Sequence, residues 1–113
     1  MNEHRYGTNP EGGDYDAHDL KITVPVEKGN EAFKDGSLGK TIETLMGKLK
    51  PEAAYFAPMN GKRSGMMFFD LAEASQIIEV VEPLFSNLDA EVEILPVMSA
   101  EDLRKGLTKA SQK

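Results

Sequence analysis

The stretch AAYFAPMNGKRSGMMFFDL, residues 53–71, decides the fold. Asn60-Gly61 stands between two apolar runs, and both residues tolerate the positive φ that a tight hairpin turn demands. The flanking runs are therefore expected to be adjacent antiparallel strands. Successive strand residues face opposite sides, so Tyr55 opposes Phe56 and Met67 opposes Phe68. A sheet that is apolar on both faces has to be covered twice.

Toward the N-terminus, LKITVPV (residues 20–26) sets Leu20, Ile22, Val24 and Val26 in strict alternation. This predicts a strand. Pro25 cannot donate a ladder hydrogen bond, which places the strand's end at an edge or near a bulge. EKGNEAFKDG (residues 27–36), with two glycines, reads as a connection carrying at most an extra turn over 30–34. Leu38, Ile42, Leu45 and Leu49 then mark one face of a helix, capped by Ser37 or Asp35 and ended by Pro51.

Toward the C-terminus, Ile77, Ile78, Val81, Leu84, Phe85 and Leu88 predict a helix over 73–88, kinked or loosened by Pro83. AEVEILPVM (residues 90–98) reads as a strand. Val92 and Ile94 lie on one face, Glu91, Glu93 and Leu95 on the other, and Pro96 marks an edge or strand end. Ser99 and Asp102 open a short terminal helix in the manner of a capping box. The order is βαββαβ plus a terminal helix. That is an α+β, ferredoxin-like plan: a four-stranded antiparallel sheet with both helices on one face. The domain spans 19–113, after a polar, glycine-containing tail over 1–18.

Composition narrows the function. The chain has 113 residues, 40% hydrophobic and 28% charged, which suits one soluble domain. It has no cysteine, so disulfides, thiolate metal sites and a cysteine nucleophile are excluded, and a reducing cytoplasm fits. The net charge of −6 argues against a nucleic-acid partner. No run approaches the roughly 20 apolar residues that span a bilayer, and the N-terminus lacks the apolar core of a secretory signal. The two histidines, His4 and His18, read as solvated tail residues without the clustered partners a metal needs. No motif asks for a cofactor.

One motif looks sharper than it is. GSLGKT (residues 36–41) resembles the end of a phosphate loop, and MMFFD (residues 66–70) a strand ending in a metal-holding Asp. The loop requires a glycine five residues before Gly39, where Lys34 stands. Gly39 also falls inside the helical period of Leu38 and Ile42. The MMFFD strand is tied by a hairpin to its neighbour, whereas such hydrolases use a parallel sheet. A nucleotide hydrolase is therefore kept only as a motif-derived outsider, which saturable ATP binding lost on Lys40→Ala would revive.

The segments KITVPVEKGN, KDGSLGKTIETLMGKLKPEAAYF, NGKRSGMMFFD and LPVMSAEDLRKGL resemble the dimeric α/β-barrel superfamily, over Leu20 to about Leu107. That ferredoxin-like group includes antibiotic-biosynthesis-type monooxygenases and muconolactone isomerase. More narrowly, the segments resemble a bacterial family of uncharacterised small proteins. The resemblance implies a homodimer packed through the sheet face, with a pocket between sheet and helices or in the barrel centre. The pocket would bind or transform a small, mostly apolar organic molecule, as cofactor-free oxygenases and isomerases do. The alternative is a non-catalytic dimeric structural or ligand-sensing module. Haem chemistry is disfavoured, because the chain has no tryptophan and both histidines fall in the tail.

Four residues stand out as ligand contacts. Ser37 and Lys40 open the first helix, where backbone N–H groups and a cation suit a carboxylate or phosphate. Tyr55 has a phenol to offer from a central strand. Glu93, two residues from Glu91 on one strand face, belongs to a carboxylate pair of the kind that does acid–base work. Each has a simpler reading: a solvated helix start, a tyrosine bonded to a carbonyl, an interface rim. Arg63, beside the hairpin turn, reads as solvated, with anion binding as a lesser role.

Overall fold

The computed structural model describes residues 16–112. Of the tail expected over 1–18, residues 1–15, with His4, lie outside the described residues. The chain runs β1 (Asp16–Val24), α1 (Val26–Asp35), α2 (Ser37–Leu49), β2 (Ala53–Met59), β3 (Lys62–Leu71), α3 (Gln76–Leu88), β4 (Glu91–Pro96) and α4 (Ala100–Ala110). The architecture is α+β, with one open four-stranded sheet in the order β2-β3-β1-β4 and every pairing antiparallel. It is compatible with the ferredoxin-like plan.

The hairpin forms as the sequence indicates. Asn60 and Gly61 take φ of 55° and 77°, and β2 pairs with β3 from Ala53↔Phe68 to Met59↔Lys62. Register then assigns the faces. Leu20, Ile22, Val24, Met67, Phe69 and Leu71 turn inward and join Leu45, Val80, Leu84 and Leu88 of the helices in one core. Leu38, Ile42, Val92 and Ile94 pack against its margin. Burying one such side chain contributes about 1.5–3 kcal/mol, so this layer dominates stability.

Three expectations need correcting. β1 begins at Asp16, so residues 16–18 belong to the sheet and not to the tail. Asp16 to Leu20 pair with Leu71 to Met67 of β3, and that pairing outweighs the polar character of the segment. His18 is thus a strand residue with its ring 6.1 Å from that of Phe69. Second, β1 is an interior strand between β3 and β4, and Pro25 marks no edge. Proline lacks only a donor that a helix start does not use, and here it stands at the N-cap of α1. Third, residues 26–35 form a full helix where a connection was expected. Its buried surface is confined to Gly29 and Ala32, too narrow a stripe to register as an apolar period.

The other elements follow their signals. α2 starts at Ser37 and its C-cap is Lys50 in the left-handed region, just before Pro51. α3 continues through Pro83 to Leu88. α4 carries a complete capping box between Ser99 and Asp102, yet none of its residues is buried. Among the described residues, no helix is long and apolar enough to cross a membrane.

Candidate functional site

Alternation along β2 and β3 sends Phe56, Pro58, Arg63 and Gly65 to the side on which the helices lie. A groove of about 490 Å³ opens between the hairpin and α2. Ile22 and Val24 form the floor, Leu38 and Ile42 one wall, and Phe56 with Pro58 the other. Of the lining residues only Arg63 and Ser64 are polar, and the register turns the Ser64 side chain to the opposite face of the sheet. The volume falls within the range of small-molecule sites, roughly 300–1,000 Å³.

Two glycines shape this groove through close approach. A Cβ at Gly65 would stand 2.8 Å from the Phe56 ring, so the absent side chain lets that ring lie across the hairpin. A Cβ at Gly29 would stand 2.7 Å from Arg63 Nη1 and 3.3 Å from Val24 Cγ1. Arg63 therefore lies flat on α1. Its Nη1 donates to Asn30 Oδ1 at 3.2 Å, and its guanidinium carbon lies 5.9 Å from the centre of the Phe33 ring. Such a cation–ring contact contributes about 0.5–1 kcal/mol at an exposed site.

The four sequence candidates lie elsewhere. Ser37 and Lys40 share a separate recess of about 350 Å³ between α2 and α3, together with Thr41 and Asn87. There the buried Thr41 hydroxyl accepts from Asn87 Nδ2 at 3.2 Å and links the two helices. The Ser37 backbone N–H already donates to Asp35 Oδ1 at 2.8 Å. That bond, backed by the Ser37 side chain, holds the Asp35 carboxyl below its ordinary range. An anion at this helix start would have to displace a carboxylate that the chain itself supplies.

Tyr55 and Glu93 belong to the opposite, open face. The register Tyr55↔Met66, Met66↔Lys21, Lys21↔Glu93 sets them in one row across the sheet. They stand on opposite edge strands, three spacings or roughly 14 Å apart. Structure thus pairs Ser37 with Lys40 and aligns Tyr55 with Glu93, but unites no four. A cavity reached by Tyr55 or Lys40 was expected: Lys40 lines the recess of about 350 Å³ and Tyr55 that of about 340 Å³, while the groove of about 490 Å³ is lined by neither.

The open face is mixed. Tyr55, Phe68, Leu95 and Val97 share it with Asp19, Lys21, Glu91 and Glu93. Lys21 Nζ donates to Asp19 Oδ2 at 2.9 Å. This bond and the charge of Asp19, with Glu93 adding less, push the Lys21 ammonium above its ordinary value. Asp19 is buried, and its Oδ1 has no hydrogen-bond partner. A recess of about 340 Å³ lies over Ala17, Tyr55, Phe68 and Val97.

Sequence reasoning missed the groove because its members are far apart in the chain. Arg63 was visible, but its partners Asn30 and Phe33 fell in a segment read as a connection. No protein-family model, curated protein or solved structure matches the chain.

Proposed function

We propose that this chain binds a small, mostly apolar organic molecule in the groove between α2 and the β2–β3 hairpin. It does so as a homodimer joined through the open sheet face, in the manner of the dimeric α/β-barrel proteins it resembles. The observation that carries the reading is the groove's lining: an almost entirely aliphatic and aromatic wall, with Arg63 as the polar residue turned to that side. Catalysis needs an acid or base converging on the reacting atoms. Neither lining polar group is poised for that role, so binding is favoured over transformation. The dimer is supported by the apolar residues left on the open face and by Leu103 and Leu107, 49% and 60% exposed on a helix with no buried residue. Exposed apolar surface of that extent marks an interface.

Native mass spectrometry of gently purified protein tests both parts. A dimer that carries a small organic mass, lost on Ile42→Trp, is the expected result. A dimer whose adduct survives Ile42→Trp but not Tyr55→Ala moves the ligand to the recess on the open face. That outcome favours the second reading, a non-catalytic sensing module with its ligand at the interface. A monomer overturns the sheet-face dimer.

A further inference from the structure

The recess of about 350 Å³ between α2 and α3 has a lining unlike that of the groove. Lys40, Thr44 and Lys48 stand at intervals of four on one face of α2, with Thr41 beside them. Glu79, Pro83 and Asn87 of α3 complete the polar part of the lining, again at intervals of four. The ion pairs among the described residues join Lys21 to Asp19 and Lys28 to Glu31, and neither engages Lys40 or Lys48. Thr41 is only 7% exposed, and its hydroxyl accepts from Asn87 Nδ2 at 3.2 Å. A hydroxyl also has one O–H to donate, and among the described residues no acceptor takes it. Pro83 supplies an acceptor in turn. It has no N–H, so the Glu79 carbonyl one turn earlier is denied its usual bond within α3. The lining thus sets two ammoniums against one carboxylate, in a chain of net charge −6.

We infer that the α2–α3 recess is a second binding site, which takes a small phosphate monoester with a hydroxylated body, such as a sugar phosphate. The phosphate lies over Thr44, between Lys40 and Lys48. Each lysine starts about 6 Å along the helix from Thr44, and its flexible four-carbon stem lets the ammonium close on a shared anion. A phosphate monoester concentrates nearly two charges on three acceptor oxygens, which suits two point-charge cations and a free hydroxyl donor. A planar carboxylate is better met by a guanidinium fork, and no arginine lines this recess. The Glu79 carbonyl and carboxylate are left to accept from the ligand's hydroxyls. The start of α2 plays no part, because Asp35 already takes the Ser37 N–H. This site stands apart from the groove in place and in chemistry, and neither reading rests on the other.

Isothermal titration of the full chain with glucose 6-phosphate, glycerol 3-phosphate, glucose and inorganic phosphate, at neutral pH and low salt, tests the assignment. At least one of the two monoesters is expected to bind about tenfold or more tightly than glucose, and more tightly than inorganic phosphate. Lys40→Gln and Lys48→Gln should each weaken that monoester about three- to tenfold, and Thr44→Val about threefold. All three positions are exposed, so the variants keep the core intact. Lys105→Gln, on the exposed α4, removes the same charge elsewhere and should leave the affinity unchanged. Equal or tighter binding of inorganic phosphate overturns the monoester assignment and marks an adventitious ion only. A loss on Lys105→Gln as large as that on Lys48→Gln also overturns it, because affinity then follows overall charge. Failure of both monoesters to bind overturns the recess as a site and leaves the groove reading untouched.

Discussion

Phe68 and Phe69 are neighbours in one strand and occupy two different environments. Phe69 is 1% exposed and lies in the core beneath the helices. Phe68 faces the open side, among Asp19, Tyr55 and the segment leading to α4. The covered face is an aliphatic and aromatic layer. The open face alternates apolar residues with a charged row through Lys21 and Glu93. A layer sealed within one chain needs only volume and apolarity. A face that must also survive exposure before it meets a partner keeps charges among its apolar residues, which restrains non-specific association.

The comparison can be broken most decisively at its two phenylalanines. Phe69→Ala should destabilise the chain by about 3–5 kcal/mol, read from the denaturant midpoint, because it leaves a cavity at the centre of the core. Phe68→Glu should cost far less in the fold but weaken self-association about a hundredfold, ~2.7 kcal/mol, measured by sedimentation velocity. If instead Phe68→Glu unfolds the protein at low concentration, the open face is part of the core and the contrast between the faces fails.

A smaller effect is expected at α4, which is held by its cap and not by burial. Ser99→Ala removes the acceptor for Asp102 N–H and should cost about 1 kcal/mol. Hydrogen exchange should show the loss confined to residues 100–110, with the sheet unaffected. If the dimer clasps through α4, protection there should also rise with protein concentration.

The smallest effect concerns pH. The Lys21 ammonium titrates higher in the folded chain than its ordinary value of 10.5. Its contribution to stability is therefore fully present below that value and is lost as pH rises through the folded value. The expected outcome is a slight fall in thermal midpoint between about pH 10 and 12, absent in an Asp19→Asn, Lys21→Gln pair of substitutions. A fall of the same size in the double variant assigns it to other groups.

Much of the framework was legible because its signals are local. Asn60-Gly61, the alternation from Leu20 to Val24, the stripe Leu38–Ile42–Leu45–Leu49 and the Ser99–Asp102 box each lie within a few residues of chain. The segments misread were those whose structure depends on distant partners. Asp16–Asp19 is polar and becomes strand by pairing with Phe68 to Leu71. Residues 26–35 become helix though their apolar stripe is reduced to Gly29 and Ala32. The candidate site residues lie apart in the fold. Ser37, Lys40, Tyr55 and Glu93 were chosen for the chemistry of single side chains, and they are distributed over a helix–helix recess and two opposite sheet edges.

By itself the sequence determined the two-strand hairpin, the helix stripes, the caps, an α+β class and the lack of thiol chemistry. These depend on φ preferences, on periodicity and on composition, all of which act over short stretches of chain. Only the tertiary structure decided which aromatic of each adjacent pair faces the helices, and that Gly29 and Asn30 lie against Arg63. It also decided that the groove opens beside α2 and not at Tyr55. Register between strands and the approach of α1 to β3 are set by the packing of residues more than thirty positions apart. No local pattern encodes a contact of that separation, and the groove exists only once those contacts are made.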